Sequence, residues 1–292
     1  MDRSSKGGES RGRKIPLGIP DLDTDLGGGV RPGTTILPIG PVGSGPSEFA
    51  HSCAIMHGNW QADSELFDLE YRNFDRPLSR PDEVHYFSVV DRTDRFRGQL
   101  EAIADPRWVD VAFENITVHS LADELADLGI VRPTPEGRFE YEAYDGNVVP
   151  YKEFLYAFGD KFSESLSDGL VIVDSLSDFL PLMYRYLEPS DIFFAVQTIT
   201  HSVESSNSIL IAPADSSFYN RREQAFVERP FDVVLRSDWF GEGGNRRRML
   251  ELSKFPEFWV ENPGTERVVY DVSLDRNQFG ISDVQKIPPS KW

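Results

Sequence analysis

Residues Ile39 to Ser47 read Ile-Gly-Pro-Val-Gly-Ser-Gly-Pro-Ser, and the assignment of the fold turns on them. Gly40, Gly45 and Ser47 satisfy the phosphate-loop pattern G-x-x-x-x-G-K-[S/T], with Gly43 and Ser44 inside it, but Pro46 stands where the lysine should be. In a working loop, glycines let successive backbone N–H groups curl around a phosphate. A lysine then reaches the β and γ oxygens, and a hydroxyl holds magnesium. Pro46 brings neither a charge nor an N–H. Two readings stand at this point: a nucleotide site that has lost its chemistry, and a tight turn with nothing in it. Glu48 weighs toward the second, because a carboxylate at the start of the following helix supplies the negative charge that its N-terminus would otherwise take from phosphate.

Outward from the loop, Thr34 to Ile39 is a β-branched run that reads as a strand, and Glu48 to Gly58 reads as a helix. Strand, glycine-rich turn and helix are the context a phosphate loop needs. Pro38 conflicts with it, since it removes a ladder donor near the end of what should be a central strand.

The composition sets outer limits. A chain of 292 residues with 39% hydrophobic content is long enough to bury a sizeable core. No apolar run approaches the ~20 residues that span a bilayer, and the first fourteen residues carry no apolar segment of the signal-peptide kind, so the expected location is the cytoplasm. Cys53 is the single cysteine, which excludes an internal disulfide and a cysteine-based zinc site. The net charge is −18, and of the 30 basic residues only seven are lysine. Abundant acid with little lysine points to a protein built for concentrated salt, where self-repulsion is screened, and hence to a halophilic source. The same charge disfavours generic nucleic-acid binding, which depends on cationic contacts.

Along the chain, residues 1–14 read as a disordered tail, residues 15–275 as one α/β domain with excursions near 59–83 and 130–150, and residues 276–292 as a C-terminal tail. Val84 to Val90 and Leu170 to Asp174 are strands of the buried type, the second ending in a carboxylate. Tyr151 to Leu166 repeats phenylalanine and leucine at helical spacing. From Phe231 onward the pattern changes to hairpins, which places antiparallel strands at one side of a mostly parallel sheet flanked by helices.

With these landmarks in order, the chain resembles the RecA superfamily, and within it the KaiC-like ATPases that include archaeal GvpD. Gly18-Ile19-Pro20-Asp21-Leu22-Asp23, followed by Gly27-Gly28-Gly29 and Pro32-Gly33, is similar to the family's opening signature. Leu170 to Ser175 resembles the Walker B strand. Phe231 to Leu235, then Arg248 to Lys254, resembles the closing pattern A-D-x-V-I-x-L … R-x-L-x-V-x-K-x-R. The resemblance implies a P-loop core that binds ATP or ADP with Mg2+, the metal shared by Ser47 and Asp174, and assembly with itself or with a related KaiC-like subunit. It also implies contacts across that boundary from Arg248 and Lys254.

The departures fall where chemistry would be done. Pro46 replaces the lysine. Val90 and Asp91 stand where the family has a pair of glutamates, one of which polarises the attacking water, so Asp91 is the sole candidate for that role. Lys254 is followed by Phe255 and Pro256 rather than by x-Arg. An arginine finger alone carries a rate factor of about 10³–10⁵, so the joint loss implies negligible hydrolysis. The expected protein is therefore a KaiC-like pseudo-ATPase with a regulatory or scaffolding role and with nucleotide binding weak or lost. The alternatives are an active ATPase that uses a displaced or trans-supplied base, and a nucleic-acid-associated recombinase paralogue.

Overall fold

The structure is a computed structural model that describes residues 13–72, 74, 78–122, 132–133, 139–140, 149–184, 188–241, 246–275 and 278–287. Twelve strands are described: β1 (Thr35–Gly40), β2 (Val84–Ser88), β3 (Thr117–Ser120), β4 (Arg132–Pro133), β5 (Phe139–Glu140), β6 (Leu170–Asp174), β7 (Ile209–Ile211), β8 (Ala214–Asp215), β9 (Val233–Phe240), β10 (Arg247–Lys254), β11 (Arg267–Asp275) and β12 (Gln278–Ile287). The helices are α1 (Pro20–Asp25), α2 (Pro46–Gln61), α3 (Glu65–Tyr71), α4 (Thr93–Ile103), α5 (Pro106–Glu114), α6 (Val149–Glu164), α7 (Leu176–Tyr184), α8 (Pro189–Ser206), α9 (Arg221–Glu228) and α10 (Pro256–Glu261).

One sheet organises the chain, in the order β12-β11-β10-β9-β1-β7-β6-β2-β3, with β8 also on β1. From β9 to β3 the pairings are parallel, and from β9 to β12 they are antiparallel. This is the expected architecture. The central parallel strands β1 and β7 are buried at every position, and β6 at all but its last, because both faces are covered. Helices α2 to α5 and α10 enclose one core with Ile36, Tyr86 and Ile172, and helices α6 to α9 enclose a second with Leu37, Phe87 and Val171.

Pro38 is accommodated without loss of the central strand. The β1 register runs Ile36↔Ile211 and Ile39↔Ala214, which brings Pro38 level with Pro213, at the interval between β7 and β8. Two residues without N–H groups thus meet where neither could donate to the other.

Two boundaries differ from the sequence reading. Residues 59–83 do not form an excursion: α2 extends to Gln61, and Leu66, Phe67 and Tyr71 of α3 are buried in the first core. Stacking of Trp60 on Phe67 and of Phe67 on Tyr71 fixes that segment. Nor is 276–292 a tail throughout, because 278–287 is β12, paired with β11 from Arg267↔Ile287 to Asp275↔Gln278. Its anchor is Phe279, a buried ring that packs edge-on against Phe49 of α2 at 5.5 Å. Of the 130–150 excursion, β4 and β5 form a short antiparallel pair and its last two residues begin α6; residues 130–131, 134–138 and 141–148 lie outside the described residues, as do residues 1–12 of the expected tail.

Candidate functional site

The loop between β1 and α2 is built by close packing. At Gly40, a Cβ would sit 2.4 Å from both the Ser237 carbonyl oxygen and Ser44 Oγ, so no larger residue fits. Gly45 holds φ at 122° as the N-cap of α2, a conformation that side chains with a Cβ rarely adopt. Pro46 occupies the first turn of α2, where a missing N–H costs the helix nothing. A ligand, however, loses that donor. The loop also uses one N–H internally, from Ser44 to the Pro41 carbonyl at 3.0 Å. Ser44 itself is fully buried, and its hydroxyl has no partner among the described residues; the same holds for the hydroxyl of buried Ser237, which lies on the same side of Gly40.

Asp174, at the carboxyl end of β6, is the second landmark. Ser47 Oγ donates to its Oδ1 at 3.1 Å, the Tyr86 hydroxyl donates to Oδ2 at 2.5 Å, and His51 Nε2 lies 3.2 Å from the same oxygen. A carboxylate only accepts, so His51 carries its proton on Nε2. Ser47 and His51 are one helical turn apart on α2 and therefore share the face that meets β6. Tyr86 reaches Asp174 from the adjacent strand, where Tyr86 pairs with Ile172. Burial pushes the Asp174 carboxyl up, but the bonds from His51, Tyr86 and Ser47 outweigh it and hold the group below the usual carboxylate range.

The sequence-derived magnesium pair is thus brought together, with protein donors on both carboxylate oxygens. A divalent cation here needs oxygen lone pairs free to face it. Both Asp174 oxygens already accept protein donors, and the Ser47 hydroxyl gives its hydrogen to one of them, while lone pairs remain on the hydroxyl and on the carboxylate. His51 and Tyr86, which sequence reasoning missed, make the difference. The signal available was the spacing of His51 four residues after Ser47; the place of Tyr86 beside Asp174 follows only from the order of the strands.

Asp91 is also engaged. Arg95 Nε is 2.9 Å from its Oδ1 and Gln99 donates to its Oδ2 at 2.6 Å, so the carboxylate is tied to the exposed side of α4. Asp178, one helical turn beyond Asp174, is raised above the usual carboxylate range by burial and by the charges of Asp174 and Asp91. Its Oδ2 accepts from Ser175 Oγ at 2.6 Å.

The two residues expected to act across a subunit boundary are engaged within the chain. Lys254 Nζ donates to the carbonyls of Arg229 and Phe231, beyond the end of α9. Desolvation lowers its pKa. Arg248 Nε donates to the Gly43 carbonyl at 2.9 Å, so its guanidinium stands at the loop. It also lies over the Trp239 ring at 4.5 Å, with Arg246 over the same ring at 4.7 Å. Beside this group a cleft of about 310 Å³ opens between the exit of β1 and the outer face of β9 to β11, with Gly40, Pro41, Ser216, Trp239, Phe240 and Met249 in its lining.

Comparison with known proteins bears on the fold. No family model matches the chain, and no curated protein matches it in sequence. Solved structures do match. Flagellar accessory protein FlaH from Methanocaldococcus jannaschii superposes over 92% of this chain and 98% of its own, with a TM-score of 0.56 and 15% identity. A KaiC-like protein from Pyrococcus horikoshii superposes over 93% and 99%, with a TM-score of 0.58 and 16% identity. The chain therefore has the RecA-like fold of these archaeal proteins along nearly its whole length. Among the described residues, no helix is long and apolar enough to cross a membrane.

Proposed function

We propose that this chain is a RecA-fold pseudo-ATPase, a regulatory or scaffolding protein of the KaiC-like kind in which metal-assisted hydrolysis has been lost. One observation carries the reading: Asp174, at the position that would share magnesium with Ser47, is engaged by three protein donors, Ser47, His51 and Tyr86. Pro46 in place of the lysine and the pairing of Asp91 with Arg95 and Gln99 support it. Phosphoryl transfer depends almost wholly on positioning and on neutralising charge. A loop without its lysine, a metal position crowded by three protein donors and a water-polarising candidate held in an ion pair supply little of either.

The role that follows is to present a surface rather than to turn over a substrate, either in self-association or with a related RecA-fold subunit inside the cell. A net charge of −18 supports function in concentrated salt and argues against nucleic acid as the partner. An ATP turnover assay on the purified protein with Mg2+ in molar KCl tests the reading. Phosphate release at about 1 per second or more, the range of ordinary enzymes, overturns it.

A further inference from the structure

We infer that His85 and His119 form a two-histidine site for a divalent transition metal of the class that imidazole binds, zinc or copper, at the β2–β3 edge of the sheet, with Glu83 orienting one of the two rings. The inference stands apart from the glycine loop and from the reading of Asp174.

The strands set the geometry. Side chains alternate along a strand, so His85 and Phe87 of β2 share a face, and Glu83 stands two residues before His85, just ahead of the strand. β3 runs parallel to β2 with His119 level with Phe87, which makes His119 the diagonal neighbour of His85. The His119 ring stacks on Phe87 at 4.4 Å, and Phe87 packs in turn on Phe158 and Phe162 of α6. His85 is buried, and its Nε2 lies 2.8 Å from Glu83 Oε2. One ring is thus held by stacking and the other by a carboxylate.

The tautomers leave two nitrogens facing each other. The Glu83 carboxylate only accepts, so neutral His85 carries its proton on Nε2 and presents a lone pair at Nδ1. Opposite it, at 3.1 Å, is His119 Nε2. The gap takes a proton from His119, or a metal ion in that proton's place. Two nitrogens about 2.0–2.1 Å from one zinc ion stand about 2.9 Å apart at a right angle and about 3.4 Å apart at the tetrahedral angle, so the observed spacing suits two ligands as well as a hydrogen bond. A carboxylate on the outer nitrogen of a ligating imidazole fixes the ring and raises its basicity, and Glu83 has that position. Burial, and after it the charges of His85 and Lys161, lower the pKa of His119 to about 4. That ring is therefore neutral at neutral pH, the form that binds metal.

Two features set the strength of the site. Among the described residues no group of three or more histidine, cysteine, aspartate or glutamate side chains could hold a metal ion, so the protein supplies two ligands, and water or chloride completes the shell at the partly exposed His119. Lys161 of α6 places a positive charge near His119, against a cation, and Glu83 offsets it.

Calorimetric titration of the full chain with Zn2+ in molar KCl, after metal removal with EDTA and dialysis, tests the inference, and electron paramagnetic resonance with Cu2+ reads the ligands. The expected result is one Zn2+ per chain and a Cu2+ signal split by the nitrogens of two imidazoles. His119→Ala should weaken Zn2+ at least about tenfold, and Glu83→Gln, which keeps both ligands, by about tenfold. Lys161→Met should tighten binding. His201→Ala, at the exposed histidine beside Glu204 on α8, should change nothing. Should His119→Ala misfold by circular dichroism, Glu83→Gln at its exposed carboxylate carries the test. No Zn2+ binding up to about 1 mM, a Cu2+ signal without nitrogen splitting, affinity unchanged in His119→Ala and Glu83→Gln, or binding lost in His201→Ala would each overturn the inference.

Discussion

His51 Nε2 lies 3.2 Å from Asp174 Oδ2, across the interface between the first turns of α2 and the end of β6. The pair places an imidazole ring against the carboxylate that ends β6. Removing either partner leaves the other buried with an unmet group, at about 1–3 kcal/mol for a hydrogen bond of this kind. His51→Ala and Asp174→Asn should each destabilise by that order. Their double mutant should cost less than the sum, with a coupling energy of about 1–3 kcal/mol in urea unfolding. Strict additivity would show that the contact contributes nothing.

Phe279 closes over Gly45, whose added Cβ would come within 3.0 Å of the ring while holding φ at 122°. Gly45→Ala therefore meets both a strained backbone and a clash, and should lose about 1–3 kcal/mol. Combining it with Phe279→Ala should relieve the steric part and leave the conformational part. Equal losses with and without the ring would show that β12 does not press on the loop.

Lys254 caps the chain beyond α9 through two carbonyls, a job that needs no neighbouring subunit. Lys254→Met should lower stability by about 1–3 kcal/mol and leave the oligomeric state by light scattering unchanged. Dissociation of an oligomer at full monomer stability would restore a role across a boundary.

His57 adds a pH dependence of known sign. Its Nε2 donates to the Pro16 carbonyl at 2.8 Å, and its buried Nδ1 has no partner among the described residues, so a second proton has no acceptor to meet. Burial lowers its pKa from 6.5 to about 4. The unfolded chain binds a proton that the folded chain refuses, so this contribution is complete above pH 6.5 and is lost as pH falls toward 4, by about 3 kcal/mol. Asp23 works in the opposite sense: burial raises it to about 7, and its contribution is present at low pH and lost as pH rises. The difference between wild type and His57→Gln across pH 4 to 6.5 isolates the histidine. Parallel pH profiles would remove it.

The fold was legible because its signals are local and ordered. A glycine turn between a strand and a helix, an apolar strand ending in Asp174 and hairpins after Phe231 each dictate a backbone shape by themselves. What escaped depends on distance. Val84 to Ser88 reads as a strand from its residues, but nothing local says that Tyr86 will stand beside Asp174, because that follows from the order of strands. Residues 278–287 read as a tail because their composition is polar, and only Phe279 docking on Phe49 and donating its N–H to Ser52 Oγ makes them a strand. Trp239, between two arginines at the loop, is invisible in a sequence where it lies seven or more positions from both. The α5 signature was present locally in Asp105-Pro106, an N-cap whose side chain accepts from the Arg107 N–H at 2.9 Å.

The central claim is that the Asp174 position has exchanged its metal for protein donors, and ATP turnover with Mg2+ in molar KCl addresses it most directly. The account predicts phosphate release no faster than that of a matched Asp174→Asn sample. Turnover of about 1 per second that disappears in Asp174→Asn and in EDTA would contradict it.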